Sequence, residues 1–76
     1  MKSQRMTLPI QDLNSNDGSI PLVEQTLIQE VGVRHVYVNP VMEMAYIEYD
    51  PVITSLDQLV TAVKRAGFHT GKPSRR

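Results

Sequence analysis

The chain has 76 residues, with 8 Lys plus Arg against 8 Asp plus Glu, and it contains neither Cys nor Trp. That length allows a single domain with a small core, because a chain this short buries only about 60% of its unfolded surface. The charge balance argues against a dedicated binder of nucleic acid or anionic membrane, and the missing cysteine excludes a disulfide framework or a thiolate metal site.

The first eleven residues, "MKSQRMTLPIQ", lack the apolar stretch of a signal peptide. No apolar run approaches the roughly 20 residues of a membrane span, so no direct membrane insertion is expected. The expectation is a cytoplasmic protein, whether whole or cut from a longer chain. Residues 1–4 and 72–76 read as flexible ends around a domain at 5–71.

From Arg5 to Gln11 the apolar residues Met6, Leu8 and Ile10 alternate with polar ones, which is strand periodicity. Pro9 removes one ladder donor, so it should face an unpaired side or a bulge. Residues 12–19 are a loop by composition. Ser19 is placed to cap a helix and Pro21 suits its first turn. Leu22, Val23, Leu27 and Val31 recur at helical spacing to about Glu30, and Gly32 ends the element. In the next run, Val36 and Val38 share a face with Arg34, and His35 and Tyr37 take the other. After the break at Asn39-Pro40, Ala45, Ile47 and Tyr49 share one face, with Met44, Tyr46 and Glu48 opposite. This is a hairpin with a loop of about four residues. Ser55-Leu56-Asp57-Gln58 is a capping box, with Thr54 to Asp57 as a second register. Leu56, Leu59, Val60 and Val63 then form the apolar stripe of a second helix, closed by Ala66-Gly67. Phe68 to Gly71 is a short last strand.

The order βαββαβ defines an α+β, ferredoxin-like domain: a four-stranded antiparallel sheet with two helices on one face. Both crossovers should be right-handed. The other sheet face is left open to solvent.

The stretch "VEQTLIQEVGVRHVYVNPVMEMAYIEYDPVITSLDQLVTAVKRAGF", residues 23–68, resembles the heavy-metal-associated domain family. This is the family of small copper chaperones and of the N-terminal domains of metal-transporting P-type ATPases. The matching pieces are "VEQTL", "GVRHVYVN", "AYIEYDP", "TSLDQL" and "AGF", and "MTLPI" is similar to the family's first strand. The resemblance implies a role in metal transport. It also implies a first loop carrying Met-Thr-Cys-x-x-Cys, whose two thiolates hold a soft ion such as Cu(I). Here "DLNSNDGSIPLVEQTL" fills that region, one residue longer. The cysteine positions fall on Ser15 or Asn16, and on Gly18 or Ser19. The loop Asp12, Leu13, Asn14, Ser15, Asn16, Asp17, Gly18, Ser19 is therefore a degenerate metal loop. Phe68 matches the family's aromatic beside the loop and reads here as core that shields its underside.

Substitute ligands are few. Met6 reads as core packing. Met42, Met44 and His69 are candidates for weak metal binding, although their plain reading is hairpin and strand surface. The loop, the hairpin tip at 39–43 and the Gly67-Phe68 turn should share one end of the sheet, with Met42 free to approach the loop. Met44 and His69 should flank the first strand on the open face. Two strand spacings, about 10 Å, would separate them, whereas ligands of one ion stand about 2.0–2.3 Å from zinc. His35 should lie at the opposite end, across from Glu48. Asp12 and Asp17 offer too few oxygens for calcium and more simply shape the loop.

On the open face Tyr37 and Tyr46 should be cross-strand neighbours, with His35 and Met44 close by. Such a patch either anchors a protein partner or merely stabilises the hairpin. RNA-binding domains of this topology carry paired aromatic motifs on the central strands; here the outward first-strand residues are Thr7, Pro9 and Gln11 and the net charge is neutral, so no nucleic acid is expected. No nucleophile–base pair, paired carboxylates or phosphate loop is recognisable, so no enzyme is expected. The functional expectation is a cysteine-less domain acting as a docking or regulatory module in metal transport or homeostasis. It has no expected cofactor and takes a protein partner: a metal transporter or another domain of a longer chain. The alternatives are weak metal binding through Met, His or loop oxygens, and a homodimer built on the open face or an edge strand.

Overall fold

A computed structural model describes residues 3–11, 13 and 18–75. The elements are β1 (Gln4–Gln11), α1 (Ser19–Ile28), β2 (Val33–Asn39), β3 (Met44–Tyr49), α2 (Leu56–Arg65), β4 (His69–Thr70) and β5 (Ser74–Arg75). The sheet runs β2-β3-β1-β4, all pairings are antiparallel, and β5 also pairs with β1. α1 packs on β2, α2 packs on β4, and the helices touch each other.

The alternation of β1 and β3 does what it predicts. Met6, Leu8 and Ile10 from one strand and Ala45, Ile47 and Tyr49 from the other are buried beneath the helices. Val23 and Leu27 from α1 and Leu59 and Val63 from α2 close the core, with Leu13, Ile20 and Phe68 packed at its margin.

In β2 the expected pairing of Arg34 with the valine face gives way. The register slips between Val33 and His35, a bulge at Arg34. The extra residue turns Val33 onto the core and Arg34 to solvent.

The two helices start differently. α2 is capped by Ser55, whose Oγ accepts the Gln58 amide at 3.3 Å. The return arm of the box is absent: the Gln58 side chain accepts from the Thr54 hydroxyl at 3.0 Å instead. The same helix closes in a Schellman turn, with Phe68 N–H on the Val63 carbonyl and Gly67 N–H on the Lys64 carbonyl. Gly67 supplies the left-handed residue (φ 98°) that this turn requires.

In α1, Ser19 is not the cap expected for it. It takes the first helical position, buried, and Gly18 precedes it in the left-handed region (φ 82°) with no side-chain cap. The helix also stops earlier than expected, with Gln29 as its C-cap. Gly32 lies beyond the helix in the turn into β2, where its carbonyl accepts the Asp50 N–H at 2.8 Å.

The stretch expected as a flexible tail contains β5, which lies along β1 at Met6 and Thr7. A one-residue shift in register separates it from β4. Pro9 explains the break. Its carbonyl accepts the Gly71 N–H at 2.8 Å, so its own nitrogen, which has no proton, faces the same side. A Cβ on Gly71 would lie 2.9 Å from the Pro9 Cβ. Pro9 thus directs its missing donor away from β3 and toward the irregular stretch between β4 and β5.

Candidate functional site

Two regions were expected to matter: the loop end of the sheet and its open face. At the loop end, Ile10 donates to the Glu43 carbonyl at 2.9 Å, and Gln11 stands opposite His69. The hairpin tip and the start of β4 therefore flank the end of β1, as expected. Leu13 and Phe68 are half-buried against the core there, and Gly18 and Ser19 open α1. Asp12, Asn14, Ser15, Asn16 and Asp17 lie outside the described residues.

The substitute ligands sit on different elements. Met6 is fully buried. Met42 is exposed in a hairpin turn whose Val41 and Met42 amides are both held by the Asn39 side-chain oxygen, at 3.0 and 3.2 Å. Met44 pairs with Pro9 and His69 with Gln11, on strands to either side of β1. Among the described residues no three His, Cys, Asp or Glu side chains gather as a metal would require.

The open face is better organised. Tyr37 stands directly across from Tyr46, with ring centroids 5.9 Å apart and planes inclined by 21°. This offset stacking is favourable beyond simple burial. His35 stands across from Glu48, and Glu48 across from Arg5 of β1. These residues border a shallow groove of about 230 Å³ on the open face. The Glu48 carboxyl lies below the usual carboxylate range. The Ser3 hydroxyl donating to it is the largest cause, and the positive charges of Arg5, His35 and Arg34 add to it.

Arg5 and Ser3 are the residues around Glu48 that sequence reasoning passed over. Arg5 shares the parity of Thr7, Pro9 and Gln11, so strand alternation alone places it on the open face. Ser3 had no such signal, because its partner is 45 residues away.

A sheet ordered β2-β3-β1-β4 with both helices on one face is the ferredoxin-like architecture, in the form taken by heavy-metal-associated domains. The solved structures it is similar to agree. A copper-binding domain from the P-type ATPase HMA7 matches with a TM-score of 0.89 at 16% identity, covering 96% of this chain and 97% of that one. Oxidized MerP from Ralstonia metallidurans CH34 matches at 0.85 and 23% identity, covering 92% and 96%. The N-terminal domain of PacS from Synechocystis PCC6803 matches at 0.76 and 25% identity, covering 90% and 94%. No family model matches the sequence, and no curated protein matches it. The chain thus resembles heavy-metal-associated domains in fold over nearly its whole length, and it contains no cysteine. No helix among the described residues is long and apolar enough to cross a membrane.

Proposed function

We propose that this chain is a cysteine-less heavy-metal-associated domain that serves metal transport or homeostasis as a docking or regulatory module. It works through its surface and does not carry Cu(I) on thiolates. One observation carries this reading. The backbone matches a copper-binding ATPase domain over 96% of the chain, yet the chain holds no cysteine. Soft ions are held most strongly by thiolates, so the fold persists here without its thiolate donors.

The docking surface is the open face around Tyr37, Tyr46, His35 and Met44, joined by Arg5. Tyr and Arg are the residues that dominate protein interfaces, and Tyr37 is 57% exposed. The partner is a protein: a metal transporter or another domain of a longer chain. The reading assigns no catalysis, and it places the domain in the cytoplasm, on the side where a transport protein would meet it.

The test is an NMR titration of the metal-free protein with Cu(I) and separately with Zn(II), in competition with a chelator. Weak shifts scattered over Met42, Met44 and His69 that vanish with the competitor are expected. Shifts confined to residues 12–19, Met42 and His69, saturating at one equivalent and surviving the competitor, would establish a metal site and overturn the docking reading.

A further inference from the structure

The two edges of the sheet differ. One is made of β4 and β5, two residues each and broken between them, which is too short to template another strand. The other is β2, seven residues long, with β3 as its only neighbour among the described residues.

Strand geometry shows which groups this edge presents. The amide and carbonyl of one residue point to the same side, and successive residues alternate. Asp50 N–H reaches Gly32, so the even-numbered residues of β3 turn toward β2. Their partners there are His35, Tyr37 and Asn39. The backbone groups of Val36 and Val38 therefore turn outward.

The flanks limit how the edge can be used. The bulge at Arg34 interrupts regular pairing on one side. On the other side, Pro40 has no N–H to donate. Between them lies a window at 35–39 without Lys, Pro or carboxylate, the devices that blunt natural edges.

The geometry points to β2 as a self-pairing edge: two copies of this chain join their β2 strands antiparallel about a two-fold axis at Tyr37. The register follows from the flanks. An axis at Val36 would set Val38 against the bulged Arg34, and an axis at Val38 would set Val36 against Pro40. An axis at Tyr37 sets Val36 against the partner's Val38 on both sides, and all four outward groups find partners.

The side chains agree with that register. Tyr37 meets its own symmetry mate, in the pairing class that brings side chains closest. The Tyr46–Tyr37 stack then continues across the axis into a row of four rings. His35 falls opposite the partner's Asn39, so no like charges face each other across the seam. On the opposite sheet face, Pro21, Ile28 and Val36 line a groove beside the same edge together with Glu24 and Gln25. The interface is self-complementary, as a two-fold dimer requires. It is also small, which places it among weak and reversible associations.

This inference is independent of the docking role, and its failure would leave that role untouched. The experiment is sedimentation equilibrium from about 10 μM to about 1 mM, the range in which weak pairings dissociate. Amide hydrogen exchange is measured at both ends of the range. The expected result is a monomer–dimer equilibrium, with exchange at Val36 and Val38 slowing as the dimer fills. Tyr37→Lys places two ammonium groups across the axis. It should stay monomeric throughout while its amide spectrum shows an intact fold. A wild-type chain that remains monomeric at the highest concentration would overturn the proposal. So would a dimer in which exchange at Val36 and Val38 is unchanged, or one that survives Tyr37→Lys.

Discussion

Glu48, on β3, gathers groups from the two neighbouring strands and from the segment before the first. Ser3 donates to it, Arg5 and His35 stand opposite it on neighbouring strands, and Arg34 adds charge from further off. Its folded pKa lies below its unfolded one, so it contributes stability above the unfolded value, and that contribution is lost as pH falls through the folded value. The group is exposed and screened by solvent, so the contribution to stability is small, and titration reads it better than unfolding. Ser3→Ala is expected to move the Glu48 side-chain NMR midpoint upward, toward the ordinary carboxylate range. An unmoved midpoint would mean that the hydroxyl does not set it. The His35–Glu48 and Tyr37–Tyr46 pairs were legible from hairpin alternation. Arg34 was misassigned to the valine face because alternation assumes an unbroken ladder, and a bulge advances the chain by one residue without leaving a composition signal.

The two helices show how local an element's signals are. Ser19 and Ser55 are both serines before an apolar run, but only Ser55 is followed three positions later by Gln. That is the helix whose serine caps. α1 instead enters through Gly18, which makes no side-chain cap, and it has no acidic residue in its first turn. Ser55→Ala is expected to cost about 1 kcal/mol. It should appear as a lower urea midpoint at unchanged m-value; an unchanged midpoint would show that the Oγ contact at Gln58 contributes nothing. The last strand was harder to read. Its division into β4 and β5 depends on Pro9, a residue about sixty positions earlier that denies it a donor and crowds Gly71.

At the scale of the molecule, the described core is built on the sheet and the two helices. The buried hydrophobic residues come from the strands and helices, and Leu13, the described loop position packed against them, is not a soft ligand. Restoring a thiolate pair should therefore restore soft-metal binding without rebuilding the domain. Two variants cover the two placements of the extra loop residue: Ser15→Cys with Gly18→Cys, and Asn16→Cys with Ser19→Cys. One of them is expected to bind Cu(I) at one equivalent in chelator competition, as thiolates do; failure of both would mean that the loop has diverged in shape as well as in ligands. Element order, the buried faces of β1 and β3, and the absence of thiolate chemistry were all present in the residues as read. Strand and helix periods are set by local backbone geometry, and a missing side chain needs no fold to be noticed. The Ser3–Glu48 contact, the bulge at Arg34, the broken edge beside Pro9 and the free groups of Val36 and Val38 emerge only on folding. Each depends on register between strands that a helix or a turn separates in sequence, and register is fixed by packing the whole core at once.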